Sequence, residues 1–187
     1  MISLYRAALD LQQVLQQQRW SFSFIGGLAL QRCGEPRLTR DIDLTLFTGF
    51  GTEPFFIDVL CGLYRLRLQD GRDFAIHNRV LLLMTQDGIG IDFALAGLPY
   101  EQRLIDRSSH FSFLPDCSLQ TCSAEDLIIT KAFADRDQDW IDIRGILIRC
   151  QGRLDWPLIE QELKPLVAAK EKPEIISRLL LERDIYA

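Results

Sequence analysis

The cysteines of this 187-residue chain lack any regular pattern. There are five of them, an odd number, and no two stand in a Cys-x-x-Cys pair. Disulfide frameworks and structural zinc sites depend on paired or closely spaced cysteines, so the pattern argues against both. We expect buried, reduced thiols in a cytoplasmic protein. The cysteines are Cys33, Cys61, Cys117, Cys122 and Cys150.

Histidines and long apolar runs are also scarce. The two histidines, His77 and His110, stand in no nucleophile or zinc pattern, which makes a triad hydrolase a poor candidate. No apolar run approaches the roughly 20 residues that a membrane-spanning helix needs. Residues 1–20 place leucines at helical spacing among glutamines, which is typical of an amphipathic helix rather than a signal peptide. We therefore expect no membrane partner.

Lysine is absent from the first 99 residues, whose nine basic side chains are all arginine against ten acids. The chain as a whole has a net charge of −5, and acidic residues outnumber basic ones in each half. Neither half is therefore a general nucleic-acid-binding surface. Arginine's planar fork suits phosphate recognition. For most of these arginines, including Arg65, Arg67 and Arg72, we expect the ordinary alternative of a solvated surface.

A double glycine is the first feature that indicates chemistry. Residues 21–25 alternate polar and apolar like a strand, Gly26 and Gly27 follow, and residues 28–33 have the pattern of a short helix ended by Gly34. A glycine turn before a helix offers backbone N–H groups to an anion and lets it approach closely. A tight turn alone would need the same glycines. The segment therefore predicts a phosphate-binding turn.

The next segment predicts a strand with acidic residues on one face. Period-two geometry places four polar side chains together and directs four leucine and isoleucine side chains toward a core. Two adjacent carboxylates repel each other unless a cation lies between them, so Asp-x-Asp on a strand suggests magnesium. Exposed acids on an edge strand are the alternative. The polar set is Arg37, Thr39, Asp41 and Asp43, and the apolar set is Leu38, Ile42, Leu44 and Leu46.

Two later residues are weaker candidates. Asp92 stands between Ile91 and Phe93, so on a strand its side chain points away from theirs, toward either a site or solvent. Lys131 stands on a predicted helix, where a triphosphate contact and a surface lysine are equally reasonable. Thr39 would orient Asp41 or contact phosphate. Arg136, Asp139 and Asp142 are better explained by ion pairs that hold two lobes together than by chemistry.

Periodicity predicts an α/β region followed by helices. We expect a helix over 55–68, strands over 74–76, 80–85 and 90–95, and a hairpin turn at 86–88. Beyond Pro99 the pattern becomes helical, with one strand around 111–114. Ser123 is the expected N-cap of a helix to about residue 134, a residue at or beside Asp139 caps the next, and further helices open at 155–157 and 172–174.

The motifs together resemble the nucleotidyltransferase superfamily, and most closely its bacterial AbiEii-type branch. The resemblance is carried by Gly26-Gly27-Leu-Ala29, Gly34 and Arg37-x-Thr39-x-Asp41-x-Asp43-Leu44. Ile91-Asp92-Phe93 is similar to the strand of a third carboxylate. Glu125-Asp126-Leu-Ile-Ile-x-Lys131 and Arg136-x-x-Asp139-x-x-Asp142-Ile143 resemble the helical segment of the same group.

This resemblance implies an α/β (α+β) fold. Residues 1–110 would form a nucleotidyltransferase-like mixed sheet with flanking helices, and residues 111–187 a helical C-terminal lobe completing the cleft. It also implies Mg²⁺, with Mn²⁺ as a substitute, held by the catalytic residues Asp41, Asp43 and Asp92. The implied nucleotide-binding residues are Gly26, Gly27, Arg37, Thr39 and Lys131.

The implied reaction moves an NMP from an NTP to a hydroxyl acceptor with release of pyrophosphate, in a toxin–antitoxin or phage-defence system. The acceptor stays open among an RNA end, a protein hydroxyl and a small molecule, and a partner subunit or homo-oligomer is compatible with the chain. A catalytically silent member that binds a nucleotide or a partner is the alternative. A structural divalent-ion site is a weaker third interpretation.

Overall fold

Seven strands form one mixed sheet in the computed structural model, which describes residues 1–187. Their order across the sheet is β3-β4-β5-β2-β1-β7-β6. β2 pairs in parallel with β5 and antiparallel with β1, while β1 pairs in parallel with β7. The strands are β1 (Phe22–Phe24), β2 (Asp41–Phe47), β3 (Arg65–Leu66), β4 (Val80–Met84), β5 (Gly90–Ala96), β6 (Ser109–Leu114) and β7 (Cys117–Thr121).

Nine helices complete the fold, which confirms the expected α/β class with flanking helices. None of them is both long and apolar enough to cross a membrane. The helices are α1 (Ile2–Gln17), α2 (Gly26–Cys33), α3 (Glu53–Leu63), α4 (Gly71–Asn78), α5 (Pro99–Asp106), α6 (Ala124–Ala134), α7 (Asp137–Arg149), α8 (Trp156–Ala169) and α9 (Glu174–Tyr186).

The chain divides into two compact units. The first comprises Met1–Leu28 and Leu38–Cys122 and contains every strand of the sheet. The second comprises Ala29–Arg37 and Ser123–Ala187 and contains helices α6 to α9.

The first unit has a core between one face of the sheet and its helices. The amphipathic α1 buries its leucine stripe there, as the sequence predicted. The Gln12 amide also fastens this helix to β7, since it donates to the Ser118 carbonyl at 2.9 Å and accepts from the Gln120 N–H at 2.8 Å. Strands β2 and β5 contribute the fully buried Ile42, Leu44, Leu46, Ile91 and Phe93. The polar side chains of these two strands are consequently directed to the opposite face.

Three of the four helices α6 to α9 begin where the sequence predicted. Ser123 caps α6, because its hydroxyl accepts a hydrogen bond from the Asp126 N–H at 3.0 Å. Asp155 caps α8 in the same way, by accepting from the Leu158 N–H at 3.0 Å. Each cap satisfies a backbone donor that the helix itself leaves without a partner. For α7 the N-cap is Arg136, three residues before the expected Asp139.

The prediction of a strand from Arg37 onward was wrong at its start. β2 begins at Asp41, and Leu38 is 66% exposed rather than part of the core. The neighbouring strand explains the difference, since β5 begins at Gly90, directly opposite Asp41, and its register with β2 runs onward from that pair. A strand persists only where a neighbour completes its hydrogen bonds.

Two further predictions were wrong. The residues predicted as a strand over 74–76 lie in α4, where Gly71 and Ala75, four positions apart, are buried at helical spacing. The helix predicted over 55–68 ends at Leu63, and the chain continues into β3, which pairs antiparallel with β4. Short apolar runs are compatible with either structure, so here tertiary pairing decides.

The sheet also extends beyond the expected strands. The strand expected around 111–114 is present as β6, and it forms a hairpin with β7, which the sequence did not predict. β7 joins the sheet by pairing Thr121 with Phe24 of β1. Its polar and apolar residues alternate over only five positions, a signal too short to recognise in a region expected to be helical.

Candidate active site

Strand register brings the three predicted carboxylates to one face of the first unit. Asp43 on β2 lies directly opposite Asp92 on β5, and Asp41 lies opposite Gly90 in the same pairing. Partners in register project to the same side of a sheet, and residues two apart on one strand share that side. Asp41, Asp43 and Asp92 therefore lie on the same face of the sheet, opposite the core, and we call it the carboxylate face.

The diglycine turn lies against this face. Gly26 has φ +54°, a left-handed backbone conformation, and a Cβ at this position would overlap the Asp43 carboxylate. The N–H of Gly27 donates to Asp43 Oδ2 at 3.3 Å. Both glycine properties, positive φ and close approach, are thus required here. The turn and the Asp-x-Asp strand are in direct contact, as their order in the sequence suggested.

Thr39 reaches the site without belonging to the strand. A Cβ on Gly27 would overlap the Thr39 hydroxyl, so the threonine side chain packs on the diglycine turn. Its Oγ1 donates to the backbone carbonyl of Asp41 at 3.2 Å. Thr39 therefore ties the segment before β2 to the first residue of that strand. Among the six predicted residues of this unit, all lie at the carboxylate face or its turn.

Asp92 is electrostatically unusual. Burial raises the pKa of its carboxyl group, the guanidinium of Arg67 opposes that rise, and the nearby charges of Asp43 and Asp41 add to it. The resulting pKa is about 6. A carboxyl group with such a pKa can exchange a proton near neutral pH, which is what a general base needs.

Arg67 is the site residue that sequence reasoning missed. It was expected on a solvated surface, yet its guanidinium forms an ion pair with the Asp92 carboxylate and only 23% of its side chain is exposed. Its backbone N–H donates to the Leu82 carbonyl of β4 at 3.1 Å, just beyond the last pair of β3. The only sequence signal was the alternation of arginines and leucines over residues 65–68, which was assigned to a helix.

The carboxylate face has the right chemistry for a hard divalent cation. Mg²⁺ prefers oxygen ligands, and three carboxylates supply them. Mutual repulsion and burial raise the free energy of the ionised Asp92, and a bound cation would lower it. In the structure itself, no three His, Cys, Asp or Glu side chains are gathered closely enough to form a ready metal cluster. The three carboxylates nevertheless fit Mg²⁺, because they offer oxygen ligands and share one face of the sheet.

The two remaining predicted residues, Arg37 and Lys131, lie in the second unit. Arg37 binds Asp142 through two hydrogen bonds of 3.0 Å, from Nε and Nη2. Lys131 is buried, and its Nζ donates to Asp142 Oδ2 at 2.6 Å and to Asp139 Oδ1 at 3.3 Å. Arg136 binds Asp139 on its other side, with its Nε donating at 2.6 Å. Arg136, Asp139 and Asp142 form ion pairs as expected, but these pairs lie within the second unit, whereas we expected them to hold two lobes together.

This ion-pair network compensates its buried charges. Burial alone would raise the pKa of Asp142, but hydrogen bonds from Arg37, Lys131 and the Gln138 amide outweigh it and hold the pKa below its usual range. Charged donors form stronger hydrogen bonds than neutral ones, which explains why burial does not dominate. The nucleotide-binding roles of Arg37 and Lys131 stay predictions.

Comparison with known proteins supplies the family context. A family model described as "Nucleotidyl transferase AbiEii toxin, Type IV TA system" matches residues 10–174 of the chain. The match spans the diglycine turn, all three carboxylates and the ion-pair network. No curated protein matches the chain.

One solved structure has a fold similar to that of this chain. An antigenic nucleotidyltransferase-like protein from Paracoccidioides brasiliensis has a TM-score of 0.55 at 16% identity, covering 94% of this chain and 91% of its own. The lincosamide antibiotic adenylyltransferase LnuA, bound to lincomycin, has a TM-score of 0.47 at 13% identity, with 73% and 91% covered. The antibiotic-resistance factor ANT(2'')-Ia has a TM-score of 0.49 at 15% identity, with 91% and 89% covered. At 16% identity the first similarity concerns the fold alone. The other two have TM-scores below 0.5, and no conclusion is based on them.

Proposed function

Because the chain belongs to the AbiEii nucleotidyl transferase family, we propose that it is a divalent-metal-dependent enzyme that moves an NMP from an NTP to a hydroxyl acceptor and releases pyrophosphate. One observation carries the proposal. Asp41, Asp43 and Asp92 share one face of the sheet, and the diglycine turn contacts that face. This combination supports the proposal, because the carboxylates would offer oxygen ligands to a cation and the start of α2 would offer backbone donors to a phosphate.

The turn and the Asp-x-Asp strand would hold the nucleotide. The first turn of a helix leaves backbone N–H groups without helical partners, and those at the start of α2 would bind phosphate oxygens. The missing side chains of Gly26 and Gly27 let this turn pack against Asp43 and Thr39. Asp41 and Asp43 would hold Mg²⁺ or Mn²⁺. When bound, such ions neutralise phosphate charge and lower the pKa of an attacking hydroxyl. Thr39 would keep the turn and Asp41 in a fixed relation, since it touches both.

Asp92 would act on the acceptor. Its raised pKa makes the carboxylate basic enough to take the proton of the attacking hydroxyl, or it would join Asp43 as a cation ligand. Loss of the proton leaves an oxygen nucleophile that attacks the α-phosphorus and expels pyrophosphate. Fixed geometry between the carboxylates and the phosphate-binding turn is the main contribution that the protein makes to such a reaction.

The family description also suggests the biological setting. Its wording names a toxin of a type IV toxin–antitoxin system, and we extend this setting to the present chain as part of the proposal. An antitoxin subunit would then be the partner. The acceptor would be an RNA end, a protein hydroxyl or a small molecule, since each presents the same attacking oxygen.

The test is a labelling experiment with a matched pair of variants. The wild type, Asp41→Asn and Asp87→Asn are incubated with Mg²⁺, each α-labelled NTP and cell extract, and transfer of label and release of pyrophosphate are measured. Asp87 lies exposed in the β4–β5 turn, so its variant makes the same chemical change away from the carboxylate face. We expect Asp41→Asn to lose at least about 100-fold in rate, as is common when a charge-stabilising group is removed. Asp87→Asn should keep wild-type activity.

The outcomes separate the candidate functions. Full activity in Asp41→Asn would remove the carboxylate face from the mechanism. Thermal stabilisation by an NTP with Mg²⁺, with no pyrophosphate released across many acceptors, would favour the catalytically silent alternative.

A further inference from the structure

Arg67 reaches the carboxylate face from an edge of the sheet. Its backbone is bonded to Leu82 on β4, and Leu82 lies in register with Asp92 on β5. The long side chain therefore extends past one strand to pair with a carboxylate on the next. The arginine thus brings a fixed positive charge to the row that contains Asp92 and Asp43.

Gly90 leaves room for this approach. A Cβ on Gly90 would lie 3.0 Å from Arg67 Nη1 and would overlap the Asp41 carboxylate at the same point. Both groups therefore occupy the space above a residue without a side chain. The guanidinium is adjacent to Asp41 as well as paired with Asp92.

The pairing is incomplete on the arginine side. Arg67 Nε is buried and has no hydrogen-bond partner, although a buried donor is normally paired. A guanidinium held only for structural reasons would be expected to satisfy its donors, as Arg37 does with the two-bond pair to Asp142. Arg67 is instead held by its ion pair with Asp92, and its buried Nε–H makes no hydrogen bond.

We propose that Arg67 is the internal counter-ion of the carboxylate face and competes with the divalent cation for Asp92. The inference rests on the proposed function and adds a positioning residue to it. Without the cation, Arg67 holds Asp92 and offsets its charge. Two positive groups repel strongly at close range in a partly buried site, so cation binding displaces the guanidinium from Asp92.

The test measures metal binding in the absence of nucleotide and turnover. Mn²⁺ affinity is determined from the electron paramagnetic resonance signal of free Mn²⁺ for the wild type, Arg67→Gln, Arg67→Lys and Arg72→Gln. We expect Arg67→Gln to bind Mn²⁺ about tenfold more tightly, because the competitor is gone. Arg67→Lys keeps the charge and should stay within about threefold of the wild type. Arg72 pairs with Asp58 on the surface, so its variant removes the same charge elsewhere and should change nothing.

A merely structural arginine would give a different result. The proposed competition between Arg67 and the cation is wrong if Arg67→Gln binds Mn²⁺ no more tightly than the wild type. It is also wrong if Arg67→Lys binds Mn²⁺ as tightly as Arg67→Gln does. Asp41→Asn distinguishes this failure from failure of the proposed function. Binding that is lost in Asp41→Asn but unchanged in Arg67→Gln leaves the metal site standing and removes only the role of Arg67. Absence of Mn²⁺ binding in every variant overturns both.

A second measurement covers the case in which Arg67→Gln does not fold. The Arg67 Nε–H resonance of ¹⁵N-labelled wild-type protein, assigned by its loss in Arg67→Lys, is followed during Mg²⁺ titration. We expect a saturable shift as the guanidinium leaves Asp92, and none in Asp41→Asn. An unmoved resonance in the wild type would contradict the proposal.

Discussion

Two aspartates, the buried Asp142 and the half-buried Asp92, show opposite responses to their surroundings. Asp142 in the second unit receives hydrogen bonds from Arg37, Lys131 and Gln138, and they hold its pKa below the usual range despite burial. Asp92 in the first unit has one cationic partner and two acidic neighbours, and its pKa rises to about 6. Burial acts in the same direction on both carboxyl groups, so the partners account for the difference.

The two charge clusters differ in how their acids are paired. In the ion-pair network each aspartate is matched by at least two cationic groups, an arrangement that stabilises one conformation. On the carboxylate face Arg67 pairs with Asp92, while the charges of Asp43 and Asp41 act on Asp92 in the opposite direction. A carboxyl group with a raised pKa beside other acids is a candidate for a functional site, which agrees with the role proposed for Asp92.

The largest effect should come from breaking the network at its centre. Lys131→Met leaves Asp139 and Asp142 buried with fewer partners, and we expect it to lower the free energy of unfolding by about 3 to 5 kcal/mol. Urea denaturation measures the loss. Lys164→Met, which breaks the exposed pair with Glu160, is the control and should cost about 0 to 1 kcal/mol. Equal stability of the two variants would show that the network is not structural.

The diglycine turn offers the next test. Gly26→Ala combines an unfavourable left-handed backbone, worth about 1 to 2 kcal/mol, with a clash against Asp43. Gly88→Ala has the same sign of φ but meets nothing within 4 Å, so it reports the backbone term alone. We expect Gly26→Ala to be less stable than Gly88→Ala by about 1 to 3 kcal/mol and to lose activity as well. Identical thermal unfolding of the two would show that the turn does not press on Asp43.

A pH series sharpens the contrast between the two aspartates. A carboxyl group whose folded pKa is above its unfolded value retains its proton more strongly when folded, so its contribution to stability falls as pH rises through that interval. For Asp92 the interval runs from its ordinary value of 3.8 to about 6. We expect the metal-free wild type to lose stability relative to Asp92→Asn across this range. The measurement is urea denaturation at several pH values, and a difference independent of pH would contradict the raised pKa.

The smallest effect tests the corrected start of β2. Leu38 is 66% exposed, so Leu38→Ala should change the free energy of unfolding by no more than about 0.5 kcal/mol. Leu44→Ala makes the same change in the core and should cost about 2 to 5 kcal/mol. If the two variants were equally destabilised, as a strand from Arg37 would require, the observed boundary would be wrong.

Much of the fold could be predicted from local sequence patterns, and so could the residues of the carboxylate face other than Arg67. The leucine stripe of α1, the caps Ser123 and Asp155, and the hairpin turn at 86–88 all follow from spacing and turn chemistry that act over a few residues. The predictions failed in short segments, at residues 37–40, 64–68, 74–76 and 117–121. Their structure depends on which strand lies beside them, and a local pattern contains no information about that neighbour.

The sequence by itself determined the chemistry that each segment carries: glycines where the backbone must turn left-handed, alternating aspartates, and a third acid between two apolar residues. Only the tertiary structure decided which charges meet. Strand register sets Asp43 against Asp92, and the end of an edge strand brings Arg67 to the same face. Arg37 and Lys131 instead meet Asp142 in the second unit, where α6 packs against α7. Electrostatic interaction depends on distance in space, and residues 25 or 105 positions apart become neighbours only when the chain has folded.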